Sequence, residues 1–438
     1  MNAGDTAWML VSTALVMLMT PGLALFYGGM VQQKNVLSTF MHSFFALGLV
    51  TFLWVAIGYS LAFAPDVGGG LLGGLDFAFF SGVGMDVAPN AQTIPHIVYA
   101  LFQGMFAIIT PALISGAYAE RMKFSAYMAF TAAWVLIVYA PLAHWVWAPD
   151  GWLFQLGALD FAGGTVVHLS SGVSALVAAI VIGKRVGYPQ IRHQPHNLTM
   201  TLIGAGLLWF GWFGFNGGSA LGSNGLAGLA LGNTHIAAAI GALAWGMVEY
   251  VRIKKVTILG VASGLVAGLV AITPAAGFVS PAASIVIGAL AGVVCYGGVL
   301  LKARLGYDDA LDAFGVHGIG GLLGAVLTGV FAEKIWNGAG NDGLLAGNGG
   351  LLVNQLIGVG AAAAFAGVLT WVILKLIHLT IGLRVDKDEE REGLDVVLHG
   401  ESGYSHGGQG SGLHVHQVGT PDDGDAPARR TATGASGV

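Results

Sequence analysis

LDFAGGTVVHLSSGVSALVAAIVIGK, residues 159–184, decides the fold class. Between Asp160 and Lys184 the chain carries 23 residues without a lysine, arginine, aspartate or glutamate, most of them Val, Ala, Leu, Ile, Gly or Ser. An apolar run of about 20 residues is the length that crosses a bilayer as a helix. In lipid the backbone must satisfy its own polar groups, so a helix is the form such a run takes.

The same signature recurs along the chain. Charge-free stretches separate Asp5 from Lys34, Lys34 from Asp66, Asp86 from Glu120, Lys123 from Asp150, Asp312 from Glu333, and Asp342 from Lys375. Two more, Arg192 to Glu249 and Lys255 to Lys302, are about twice as long and are broken centrally by turn-forming segments, Asn216-Gly217-Gly218-Ser219 and Thr273-Pro274-Ala275-Ala276-Gly277. Folded back at those turns, they contribute two spans each. The expectation is an all-α membrane protein of eleven transmembrane helices, an odd number that places the termini on opposite sides.

Composition agrees with a chain solvated by lipid. Hydrophobic residues make up 55% and charged residues only 9%, against about 25% charged in an ordinary soluble domain. The 70 glycines follow no Gly-X-Y period, which excludes collagen, and fit helices packed closely in a membrane. A single cysteine, Cys295, excludes a disulfide framework and a cysteine-built zinc site. The net charge of −5 comes mostly from residues after 385, so no basic field exists to attract nucleic acid.

Orientation follows from the basic residues. With the N-terminus outside, Lys34, Arg121, Lys123, Lys184, Arg185, Arg192, Arg252, Lys254, Lys255, Lys302 and Arg304 all fall on the inner side, as do Lys375, Arg384, Lys387, Arg391, Arg429 and Arg430. Lys334 alone lies opposite, so the positive-inside rule gives N-out and C-in. No basic segment precedes the first apolar run, so that run does not read as an intact cleavable signal peptide; either the first helix inserts directly or a signal has been removed. Residues 1–382 form the transmembrane domain, 383–404 a tail mixing charged and apolar positions that can order against a surface, and 405–438 a Gly/Ser/His/Asp/Thr extension expected to be disordered.

An internal repeat carries the first functional clue. Leu159-Asp160-Phe161-Ala162-Gly163 leads to His168 in the fifth span, and Leu311-Asp312-Ala313-Phe314-Gly315 leads to His317 in the tenth. The two spans run in opposite directions, so the chain reads as an inverted 5+5 repeat with an eleventh helix following, a plan that places transport sites near the midplane. Each histidine is expected some two turns inside an apolar helix, where ionisable groups face a pathway or a partner. Asp160 reads as an N-cap that also lowers the cost of a nearby cation, and Asp312 as its mirrored cap. Glu120 and Arg121 read as an ion pair or loop contact, and His42, His96, His144 and His235 as packing or interface residues.

DFAGGTVVH (160–168), GWFGFNGGSA (211–220), FGVHG (314–318), ITPALISGAYAER (109–121) and EREGLDVVLHGESGY (390–404) resemble the ammonium transporter (Amt/Mep/Rh) family, and TPGLALFYGGMV (20–31) extends the likeness to the N-terminal helix. The resemblance covers nearly the whole chain through Tyr404, and the presence of both Trp147 and Ser219 favours the Amt branch. It implies a homotrimer in the cytoplasmic (plasma) membrane with one conduction path per subunit. It further implies ammonium or ammonia as cargo, with methylammonium as an analogue, and a PII-type signal protein docking at the inner face on residues 383–404. It places an outer recruitment site at Trp147, Ser219 and Phe106 with Phe102 flanking, a gate at Phe106 and Phe215, pore histidines at His168 and His317, and supporting electrostatics at Asp160. Without the motifs, Trp147 would read as an interfacial-belt tryptophan and the phenylalanines as core packing.

The chemistry suits those assignments. An indole face holds a small cation through a cation-π contact, and a hydroxyl accepts one of its hydrogen bonds, which potassium cannot donate. Desolvating intact ammonium in an apolar pore is costly, so deprotonation at the gate and passage as ammonia is the expected course, with the route of the proton left open. Two facing imidazoles can share one proton and offer hydrogen bonds without a fixed charge, whereas a doubly protonated pair would repel itself and any cation. No convergent nucleophile, metal or acid-base set is present, so neither enzymatic activity nor a metal or cofactor is expected. Two alternatives on the same scaffold stay open: an ammonium sensor, and a passive channel for neutral gas.

Overall fold

In the computed structural model, which describes residues 1–191 and 193–404, Met1–Gly403 form one unit built almost entirely from helices. Among the described residues, ten helical segments are long and apolar enough to cross a membrane. They are α1 (Ala3–Met30), α2 (Gln33–Phe63), α3 (His96–Tyr118), α4 (Phe124–Leu156), α5 (Gly164–Ile182), α6 (Leu198–Gly218), α7 (Gly225–Ile253), α9 (Pro281–Leu305), α10 (Phe314–Phe331) and α11 (Gly349–Thr380). Between α7 and α9 stands α8 (Ile258–Ile272), apolar but only 15 residues long. Its shortness has a local cause, because the Thr273-Pro274 turn ends the helix and the chain re-enters at Pro281 in the first turn of α9.

The long stretches divide where turn chemistry requires. Asn224 caps α7, its side chain accepting from the Ala227 N–H at 3.1 Å, and Ser280 caps α9 in the same way through Ala283 at 3.1 Å. The loop between α2 and α3 contains a small antiparallel hairpin of β1 (Val87–Ala88) and β2 (Ala91–Pro95). Beyond α11, residues 383–404 carry two short helices, α12 (Lys387–Glu392) and α13 (Leu394–His399). Arg192 and the extension at 405–438, expected to be disordered, lie outside the described residues.

Bare backbone sets how α5 and α10 cross. A Cβ on Gly172 would stand 2.0 Å from the Gly318 backbone nitrogen, so any larger residue would drive the two helices apart. That contact lies one turn beyond His168 and one residue beyond His317, and it brings both histidines to one point.

The end of the bundle bearing Lys34, Arg121 and Lys184 is held by a buried ionic network. Glu120 pairs with Arg185 at 2.5 Å, not with Arg121 as its sequence neighbour suggested. Arg185 also bonds Asp308, at 2.8 and 2.9 Å, while the fully buried Arg121 guanidinium donates to the carbonyls of Ala119, Gly183 and Asp308. Burial pushes the Asp308 carboxyl up, but the Arg185 guanidinium bonded to it prevails and holds it down at about 2. The tail is stitched onto the same end: Lys123 N–H donates to Leu383 O, Val385 N–H to Arg121 O, and Val186 N–H to the Glu390 carboxylate. The N-terminal turn of the long α2 helix takes its cap from the tail, where Asp395 Oδ1 accepts from the Ser38 N–H at 2.8 Å.

Candidate functional site

Three helices present ring systems along one line. On α6, Trp212, Phe215 and Ser219 recur at i, i+3 and i+7 and so share a face. On α3, Phe106 stands one turn from Phe102. Trp147 comes from α4, at the turn just before Ala148. Trp147, Phe106, Ser219 and Asp160 line a cavity of about 510 Å³, together with Gln103, Phe161 and Phe278.

The polar groups of this vestibule are aimed. Ser219 Oγ donates its only hydrogen to the Phe215 carbonyl at 2.8 Å, which leaves the hydroxyl oxygen free to accept from a ligand. The Trp147 indole N–H donates to the Asp160 carbonyl at 3.0 Å, fixing the ring. The edge of Phe106 meets it at 6.1 Å between centroids and 84° between planes. The Asp160 carboxylate accepts from Gly163, Gly164, Thr165 and Val166 at 2.7 to 3.1 Å, so one side chain satisfies the free N–H groups at the start of α5. Four backbone donors thus engage the lone pairs of the Asp160 carboxylate.

Below the vestibule the path closes. Phe106 and Phe215 are 1% and 0% exposed and lie 4.2 Å apart, leaving no opening between them. Phe215 then faces His168 at 6.0 Å and 24°, and His168 faces His317 at 5.4 Å and 23°. The two Nδ1 atoms are 3.3 Å apart, close enough for one ring to donate and the other to accept. The His168 Nε2 meets no hydrogen-bond partner among the described residues. Beside the pair is an enclosed cavity of about 10 Å³, on the order of one water molecule. The rest of its wall is apolar and includes Phe26, Leu113, Leu208, Trp212 and Val266.

Several expectations need adjustment. The histidines sit in wide π-helical turns, Gly164–Leu169 and Phe314–Gly318, about one turn into their helices where two were expected. Asp312 is not the mirrored cap: it pairs with Lys302 at 2.5 Å. Asp309 takes that place, accepting from Ala313 and Phe314 N–H groups at 3.1 and 2.8 Å. The spacing from Asp309 to His317 equals that from Asp160 to His168, a register the Leu-Asp match at 311–312 had obscured. Phe102 is 1% exposed and lies behind Phe106, 4.9 Å away, against Gly218; it is not among the residues lining the vestibule.

Trp212 was missed. It stacks on His168 at 5.3 Å and is held by its indole N–H to Thr273 Oγ1 at 2.9 Å. Its spacing from Phe215 within GWFGFNGGSA was the available signal. The four histidines read from the sequence as packing or interface residues have local partners: His96 with Tyr59, His144 with Asp66, His42 between Tyr118 and Tyr127, and His235 against Trp209.

A sequence model of the Ammonium Transporter Family matches residues 7–404. The chain is 54% identical over 405 residues to a protein named ammonium transporter from Bacillus subtilis (strain 168), covering 92% of this chain and 99% of that relative. Its fold is similar to the crystal structure of Saccharomyces cerevisiae Mep2, with a TM-score of 0.83, 38% identity, and coverage of 89% of this chain and 88% of that one. It is similar too to a structure titled Sensor Amt Protein, with a TM-score of 0.82, 30% identity, and coverage of 90% and 98%.

Proposed function

Since the chain belongs to the ammonium transporter family of multi-pass membrane proteins, we propose that it recruits ammonium from outside at Trp147, Ser219 and Phe106 and conducts it inward as ammonia past His168 and His317. The pair of imidazoles in an enclosed apolar cavity carries this reading. A cavity of that size admits one small molecule, and its apolar wall opposes a bare cation, which would lose its hydration without an anionic partner. Ammonia avoids that cost and can hydrogen-bond with the rings. The vestibule supports the preceding step: Ser219 is left as an acceptor, and Trp147 offers a fixed aromatic face. Ammonium therefore hands its proton to water in the vestibule at the Phe106/Phe215 gate, and the current that accompanies flux reports whether that proton follows.

The same reading sets the protein in the cytoplasmic membrane as a homotrimer, N-terminus out, with the basic end and tail inside. A PII-type protein is the partner proposed for residues 383–404. The 30% identity to a protein titled as a sensor makes ligand recognition without conduction the second reading.

Ammonium concentration jumps on the purified protein in liposomes, read as currents on a solid-supported membrane together with methylammonium uptake, separate the two. The transporter reading expects ammonium-dependent flux and no potassium current. His168→Ala or His317→Ala should keep the fold but either lower the specific flux about tenfold or more or admit potassium. Wild-type flux and selectivity in both folded variants would make the histidines structural, and binding without flux in the unaltered protein would favour the sensor.

A further inference from the structure

Gln355 on α11 is 3% exposed, and its amide is spent on two other elements. Oε1 accepts from the Leu159 N–H at 2.6 Å, while Nε2 donates back to the Leu159 carbonyl at 2.8 Å and to the Ala325 carbonyl on α10 at 2.9 Å. Two carbonyls face one end of the amide and an N–H faces the other, so the network fixes which end is which. Asn354 adds a bond from Nδ2 to the Leu156 carbonyl at 2.7 Å. The room comes from α10, where a Cβ on Gly329 would stand 2.9 Å from Gln355 Cγ.

What Gln355 grips gives the contact its meaning. Leu159 precedes Asp160, whose carbonyl holds the Trp147 indole and whose carboxylate organises the first turn of α5. On the far side of Asp160, the Phe161 N–H donates to the Pro274 carbonyl at 3.1 Å. The loop is therefore pinned on both sides of Asp160, by α11 and by the α8–α9 turn. Ala325, the third partner, lies on the helix that carries His317.

We infer that Gln355 is a positioning residue of the recruitment site. Its amide sets the placement of Asp160, and through it the Trp147 ring, and fixes both relative to the helix bearing His317. α11 follows the paired five-helix halves in sequence, and this contact gives it a part in ligand capture. The inference rests on the proposed recruitment of ammonium at Trp147.

Currents from the full chain in liposomes, fitted for half-saturating ammonium and for maximal current, test it. Gln355→Leu keeps the volume and removes all three bonds, and should raise half-saturating ammonium about fivefold or more, with a smaller change in maximal current. In Gln355→Glu the carboxylate still accepts from Leu159 but has no hydrogen for either carbonyl, and protonation restores one of the two donors. Its half-saturation, taken relative to wild type at each pH, should therefore recover in part as pH falls below about 8, because burial raises a carboxyl. Thr370→Val, which removes a buried α11 hydroxyl bonded to Ser174 far from the loop, supplies a structural lesion on the same helix and should leave half-saturation unchanged.

An unchanged half-saturation in folded Gln355→Leu, or an equal rise in Thr370→Val, overturns the inference. If Gln355→Leu does not fold, a Glu variant whose relative half-saturation stays flat with pH overturns it instead. Trp147→Leu in the same series distinguishes the two levels. If it raises half-saturation while the Gln355 variants do not, the positioning role alone fails; if it too has no effect, the recruitment reading fails and the inference with it.

Discussion

Trp147 meets the vestibule with one face, and its N–H is already committed to Asp160. Removing the ring should cost the cation-π share of binding, about 0.5 to 2 kcal/mol, or roughly a 2- to 30-fold loss of apparent affinity. Trp147→Leu is expected to show that loss with an unaltered thermal midpoint, and equal affinity in the folded variant would remove Trp147 from the site. Ser219, Phe215 and Asp160 were legible because they stand inside long motifs, whereas Trp147 and Phe106 lie outside those motifs and were placed only by the resemblance of the chain as a whole; all five border the vestibule or its floor. What escaped were directions. Phe102 and Phe106 are one turn apart, yet only Phe106 reaches the cavity, and a pattern of residue types does not state which. Asp309 was hidden by the closer textual match at Asp312, because the likeness between the two segments lies in the aspartate's hydrogen bonds and its spacing to the histidine and not in the neighbouring letters.

At the scale of elements, the spans were readable from the spacing of charge alone, since lipid admits little else than an apolar helix. The exceptions have physical causes. α8 is short because a proline turn closes it, and the histidine helices begin with π-turns, which leave no mark in hydrophobic periodicity. The tail was readable as a mixed segment but not as the cap of another helix. Since Asp395 supplies the side-chain acceptor at the start of α2, Asp395→Ala should weaken tail docking by about 1 kcal/mol, the usual worth of such a cap. Faster amide exchange at residues 36–38 and in α13, with the other spans unchanged, is the expected result; unchanged exchange would show that the Asn35–Leu394 contact suffices. On the proposal that residues 383–404 dock a PII-type protein, deletion from residue 383 should abolish or impair co-purification of that protein, whereas deletion of 405–438 should preserve it.

For the whole molecule, the basic residues define one end. Cys295 is buried, so single cysteines can be introduced without removing it. Cysteines at positions 2 and 401, both exposed in the structure, should label from opposite sides with a membrane-impermeant maleimide, position 2 in intact cells and position 401 only after permeabilisation. Labelling of both from the outside would overturn the orientation, and a native mass other than three chains would overturn the trimer. Neither property could be read from one chain's packing. Exposed apolar side chains such as Leu243 and Met247 are equally at home against lipid or a second copy.

The loan of a cap from tail to second helix also orders events in time. Ser38 and Asp395 are 357 residues apart, so during synthesis α2 enters the bilayer long before its partner has been made. At about 5 to 20 residues per second, the ribosome takes from some 20 seconds to more than a minute to supply it. Throughout that interval the N-terminal turn of α2 depends on water or lipid for its hydrogen bonds. A chain broken off before residue 395 keeps all eleven apolar helices yet never acquires that bond. A tail segment that leaves the ribosome late thus serves as a check of completeness on one of the first helices.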